Sequence, residues 1–169
     1  MSEACSLQDL SGGSAGYNRH RMVRPLIVLL VGLPGSGKST WAERPGVATL
    51  SSDALRGVLI DDPTNQTIHR RVFAAMRYLL RHRLELGRPV TFIDSTHLTP
   101  RERRPYLKMA DLYDCDIEAV FFDVPLEVCL ERNRLRERNV PDEAIHDMYR
   151  RMVPPSVGEG FDRVVVVTV

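Results

Sequence analysis

From Leu26 onward the apolar positions of this chain alternate between two patterns. Leu26–Val31 is an unbroken apolar run, as expected of a strand whose two faces are both covered. Ala48–Ser51, Val90–Asp94, Ile117–Asp123 and Arg163–Val169 read as four further strands. Between strands the period lengthens. Ile68, Val72, Ala75, Met76, Leu79 and Leu80 recur at helical spacing within Ile68–Leu86, and Gly87-Arg88-Pro89 stops that helix. Thr99-Pro100-Arg101-Glu102 is a capping box with proline at the first helical position, opening a helix to about Tyr113. Leu126–Arg138 and Asp142–Val153 supply two more helices, the last ended by Pro154-Pro155. No internal repeat interrupts the alternation. Five strands interleaved with helices predict an α/β fold, a doubly wound and mostly parallel sheet with ligands at the carboxyl ends of its strands.

Length bounds this picture to one domain. The chain has 169 residues, 43% of them hydrophobic, enough for one core and too few for two. Residues 1–24, with Ser11-Gly12-Gly13-Ser14, read as a flexible tail, and residues 25–169 as the domain. Met22 is a second candidate start of translation, and Arg19-His20-Arg21 with Arg24 is a short basic cluster read as solvated. Lysine and arginine number 23 against 22 acids, a net charge of +1. Any nucleic acid must therefore be held by a local groove, not by a global field. Cys5, Cys115 and Cys129 form no C-x-x-C pair and read as reduced thiols. The absence of a signal-peptide pattern and of any long apolar run predicts no membrane association and a cytoplasmic protein.

The strongest chemical signal follows the first strand. Gly32-Leu33-Pro34-Gly35-Ser36-Gly37-Lys38-Ser39 matches G-x-x-x-x-G-K-[ST], following a predicted strand and preceding a predicted helix. Glycines let backbone N–H groups wrap a phosphate without Cβ clashes. Lys38 is expected to reach the β- and γ-phosphates of ATP, and the Ser39 hydroxyl to ligate Mg²⁺. Gly32, Pro34, Gly35, Ser36, Gly37, Lys38, Ser39 and Thr40 are thus the candidate nucleotide-binding residues. A phosphate loop alone gives nucleotide binding and no reaction.

The remaining candidates would supply the reaction. The second strand ends in Ser51-Ser52-Asp53, with Arg56 one helical turn on. Asp53 there could take the proton of an attacking hydroxyl, or could merely cap a helix over Ala54–Leu59, and the pattern leaves both open. The third strand closes on Asp94, the acidic position that holds Mg²⁺ through water in phosphate-loop enzymes. His97, a lone loop histidine, reads as structural. In Glu131-Arg132-Asn133-Arg134-Leu135-Arg136-Glu137-Arg138 the arginines alternate, so that on a helix Arg132 and Arg136 share a face. They read either as a solvated surface or as a lid whose planar guanidinium groups neutralise donor phosphates.

Taken together, GLPGSGKSTW, SSDALR, DDPTNQT, IDSTHLTPRERR, FFDVPLEVCLERNRLRER and EGFDRVVVV resemble the 5′-OH polynucleotide kinases of phage and bacterial RNA-repair systems, in order and over nearly all of Leu26–Val169. The resemblance implies an adenylate-kinase-like fold with an arginine-bearing lid and transfer from ATP-Mg²⁺ to the 5′-hydroxyl of RNA or DNA. It implies that Asp53 is the general base, that Arg56 contacts the 3′-phosphate of the terminal nucleotide, and that Arg132 and Arg136 are lid residues. Asp94 matches the family's strand-end acid, and Asn65-Gln66 a loop near the acceptor. The sequence departs from the family at His97, usually asparagine. Family members are often fused to phosphatase or ligase modules, and no such module fits in these residues, so the resemblance implies either a stand-alone kinase with phosphatase or ligase partners on separate chains or an excised domain. The same fold also serves kinases of small hydroxyl compounds such as a nucleoside, sugar or antibiotic, the alternative expectation. A nucleotide-binding interaction module is the second alternative, against which intact acids at Asp53 and Asp94 count.

Overall fold

The computed structural model describes residues 24–43, 46–136 and 139–168. The predicted tail, 1–24, lies outside the described residues except for Arg24, whose guanidinium pairs with Asp114 and Asp116 at the far end of the sheet from the phosphate loop.

The five predicted strands form one parallel sheet in the order β2-β3-β1-β4-β5. They are β1 (Leu26–Val31), β2 (Ala48–Ser51), β3 (Val90–Asp94), β4 (Asp116–Asp123) and β5 (Arg163–Thr168). Helices α1 (Lys38–Ala42), α2 (Ser52–Ile60), α3 (His69–Glu85), α4 (Pro100–Leu112), α5 (Leu126–Arg134) and α6 (Asp142–Arg151) connect them. The unbroken apolar run of β1 follows from its central place. Ile27, Leu29 and Val31 join the core under α3 and α4, while Val28 and Leu30 join the core under α1, α5 and α6. Burial on both faces leaves no position for a polar side chain. In this strand order the connection leaving β1 runs to one side and that leaving β3 runs to the other. The crevice between their carboxyl ends is the switch point where doubly wound sheets bind ligands.

Two local expectations are corrected. Helix α2 starts at Ser52, and its cap is Ser51, whose hydroxyl accepts from the Ala54 amide. Asp53 sits inside the first turn, so it is not the cap. Helix α5 stops at Arg134 instead of Arg138, because Asn133 turns its side chain onto the chain ahead. Its amide donates to the Val140 carbonyl at 2.7 Å and accepts from the Val140 amide at 3.0 Å. These two bonds close a loop that carries Arg136, which therefore does not share a helix face with Arg132; Glu137 and Arg138 lie outside the described residues.

One buried cation braces the site from below. Arg103 of α4 is fully buried and binds Glu159 through two nitrogens, at 2.9 and 2.7 Å. A third nitrogen donates to the carbonyls of His97 and Val153. The segment leading to β5 is thereby pinned beneath the loop that follows Asp94. Such a pair is costly to break, because a lone buried charge would remain.

Candidate active site

The phosphate loop takes the shape its glycines allow. Gly35 (φ +81°) leaves no room for a side chain, since a Cβ there would lie 2.4 Å from the Cys129 carbonyl oxygen and 3.3 Å from the Asn133 nitrogen. The loop is thus packed against the backbone of α5, the helix that bears Arg132. Gly37 (φ +93°) caps α1 in the left-handed region. Lys38 is buried and donates to the Gly32 and Leu33 carbonyls at 2.8 and 2.6 Å, with Ser36 Oγ at 3.3 Å. Burial lowers its pKa to about 8, against the raising effect of Asp94.

Asp94 ends β3 beside Ser51 of β2 and accepts from Ser39 Oγ at 2.8 Å. Burial raises its pKa, a shift opposed by the Ser39 bond and the Lys38 charge. This pairing of a hydroxyl with a carboxylate is a donor set of hard oxygens suited to a magnesium ion that keeps several waters. Among the described residues no cluster of three or more histidines, cysteines or acids forms a self-contained metal cage.

Opposite the loop, Arg56 Nη1 donates to Asp53 Oδ1 at 2.6 Å. The guanidinium is 5% exposed and the carboxylate 46%, so the pair presents its acid to the cleft and keeps the cation beneath it. A single cleft of about 770 Å³ takes in Pro34–Thr40, Asp53, Arg56, Gln66, Asp94, Arg132 and Arg136. Every predicted site residue therefore lies on its walls except Gly32, whose amide donates to the Thr96 carbonyl at 3.0 Å at the root of the loop.

The same cleft holds residues that the sequence reading passed over. His69 stands beside Arg56, and its pKa is lowered by burial and then by that charge. Trp41, packed on Phe92 and Phe122 at 5.5 and 6.0 Å, joins Val140, Met148 and Val167 as an apolar end of the cleft. The one usable signal was the placement of the chain's sole tryptophan directly after Ser39-Thr40.

His97 is structural, as read. It is 1% exposed, takes a left-handed φ of 46°, and its Nδ1–H donates to the Leu30 carbonyl at 2.9 Å. Burial, only partly offset by that bond, lowers its pKa from the ordinary 6.5 to about 4. An unfolded chain binds this proton near pH 6.5 and the fold refuses it until about 4. Stability from this group is therefore complete above pH 6.5 and falls as the pH drops toward about 4, by about 3 kcal/mol. Thermal melts between those values should show the loss in the wild type and a flatter profile in His97→Gln. Parallel profiles would exclude His97 as the cause.

A phosphate loop at the switch point, a strand-end acid on its serine and two arginines across the cleft define a P-loop kinase, a phosphotransferase that binds nucleotide. The chain belongs to the AAA domain family, whose model matches residues 27–155. It is 23% identical over 144 residues to the L-seryl-tRNA(Sec) kinase of Methanococcus maripaludis, covering 81% of this chain and 56% of that protein. It is 26% identical over 163 residues to the bifunctional polynucleotide phosphatase/kinase of Schizosaccharomyces pombe, covering 91% of this chain and 36% of that one. The chain thus spans about half or less of the length of these relatives. Among solved structures, a chain of the Pnkp1/Rnl/Hen1 RNA repair complex superposes with a TM-score of 0.65 at 26% identity, over 82% of this chain and 46% of its own. Among the described residues no helix is long and apolar enough to cross a membrane.

Proposed function

We propose that this chain is a polynucleotide 5′-hydroxyl kinase that transfers the γ-phosphoryl group of ATP to the 5′-OH end of RNA or DNA. The observation that carries the reading is the Asp53–Arg56 pair, set across one cleft from Lys38, Ser39 and Asp94. Ser39 and Asp94 would hold Mg²⁺, which neutralises charge on the donor phosphates when bound. Lys38 exchanges its loop carbonyls for phosphate oxygens, and Arg132 and Arg136 approach the same oxygens from the lid side. Asp53 accepts the proton of the attacking hydroxyl, and the guanidinium beneath it keeps the carboxylate aimed into the cleft. Gln66 and Arg56 line the acceptor end. Two similarities support this reading, since one relative is a bifunctional polynucleotide phosphatase/kinase and one similar structure is a chain of an RNA repair complex. Phosphatase and ligase activities are the natural partners of such a kinase.

The acceptor is tested at Arg56. A 5′-hydroxyl held at Asp53 leaves the 3′-phosphate of the same nucleotide within reach of this arginine, whereas a small hydroxyl compound offers it nothing. A charge-assisted contact to one phosphate is worth about 1.5–3 kcal/mol. Arg56→Ala should therefore lower kcat/KM for 5′-OH oligonucleotides by about 10–100-fold, with little change in KM for ATP. The wild type should use a nucleoside 3′-monophosphate far better than the plain nucleoside. Equal use of the two would move the assignment to a small-molecule kinase.

A further inference from the structure

The near-neutral charge of the whole chain conceals a strong local imbalance. Helix α3 carries five arginines and one glutamate, and α4 carries four cations and two acids. These thirty residues thus hold nine cations against three carboxylates, a surplus of six in a chain whose overall surplus is one. Both helices lie on the same face of the sheet and run side by side. Glu102 bears on His69 near their starts, Arg77 on Tyr106 midway, and Tyr113 bonds Glu85 near their ends. The starting end of α3 borders the cleft, because His69 is in its wall, and Glu102 in the first turn of α4 faces that histidine.

The exposed cations there are Arg70 and Arg71 on α3 and Arg101, Arg104 and Lys108 on α4, the last three spaced to form one stripe. Among the described residues none of these five has an ion-pair partner, while Arg24, Arg103, Arg134, Arg150 and Arg163 are each matched to a carboxylate. Glu102, in the first turn of α4, spends its carboxylate on the Leu98 amide, and Asp111 stands at the far end of the stripe, one turn beyond Lys108. Arg70 and Arg71 moreover occupy the first turn of a 17-residue helix that has no acid there. A helix dipole opposes cations at that end, so local stability does not account for them.

Resting on the proposed 5′-kinase reading, we infer that the α3–α4 face is the track for the acceptor strand. Its unpaired cations hold successive phosphodiesters beyond the nucleotide seated at Asp53 and Arg56. The ligand is a single-stranded polyanion read by its backbone, so the surface confers length preference and salt dependence without sequence preference.

The experiment compares kcat/KM for a 5′-OH oligonucleotide of about ten nucleotides with that for a nucleoside 3′-monophosphate across a salt series. The wild type should favour the oligonucleotide, steeply so at low salt. The double variant Arg70→Glu/Arg71→Glu should cut the ratio of the two by about tenfold or more and flatten its salt slope by about 0.7 per cation removed. Its melting temperature should hold or rise, because carboxylates suit that helix end. Arg101→Ala/Arg104→Ala should lower the same ratio from the other helix. A wild type that uses both acceptors equally, at a salt-independent ratio, overturns the track while leaving the kinase reading intact. A wild type that phosphorylates neither removes both. Preferential binding of anionic phosphatidylserine vesicles over the oligonucleotide would overturn the track in favour of a membrane.

Discussion

Lys38→Ala should abolish phosphoryl transfer to every acceptor while leaving the fold in place. The ammonium is the only side-chain cation buried within the loop itself, and it stands among the Gly32 and Leu33 carbonyls and Ser36 Oγ. Charge that develops on the transferring group must be met there, because phosphoryl transfer depends almost entirely on positioning and electrostatic stabilisation. Folding asks less of it. Burial already pulls its pKa down to about 8, so the fold bears a desolvated cation that function requires and packing does not. Truncation frees two carbonyls that water can reach from the cleft. Circular dichroism and melting temperature should therefore stay near wild type while turnover of labelled ATP falls to background. Near-normal turnover in a folded Lys38→Ala protein would remove the phosphate loop from the chemistry.

The parts of this site legible in the sequence are those set by local rules. The phosphate loop was readable because glycine, lysine and serine are required at fixed positions between a strand and a helix. The acids at Asp53 and Asp94 were readable because each closes or follows a strand on the same edge of a parallel sheet. Where long-range contacts decide, the reading failed. The sequence pattern predicted a helix over Leu126–Arg138, on which Arg132 and Arg136 would share a face, but the Asn133–Val140 bonds end it at Arg134 and place Arg136 in a loop instead. That competition between an amide side chain and the helix ladder has no signature in periodicity. Arg103 has no local partner in IDSTHLTPRERR that marks it for burial, and Glu159, arriving from far along the chain, explains a fully buried guanidinium. His69 looked like one more position of a helix, and the cleft that includes it exists only once α2 and α3 are packed. The packing of Gly35 on α5 was equally invisible, yet it ties the phosphate loop to the helix that carries Arg132.

Asp53→Asn separates chemistry from architecture at the position where the sequence left both open. The structure assigns the cap of α2 to Ser51, so the substitution does not uncap the helix. An asparagine keeps the shape and an oxygen for Arg56, but it cannot take a proton. Removal of a general base costs about 10²–10⁴ in rate, whereas a first-turn carboxylate contributes only about 0.3–1 kcal/mol of helix stability. The expected result is a fall in kcat of at least about a hundredfold with every acceptor, KM for ATP nearly unchanged, and a melting temperature within a few degrees of wild type. A loss smaller than about tenfold, together with a lowered melting temperature, would take the proton-accepting role away from Asp53 and leave it as the partner that keeps Arg56 in place.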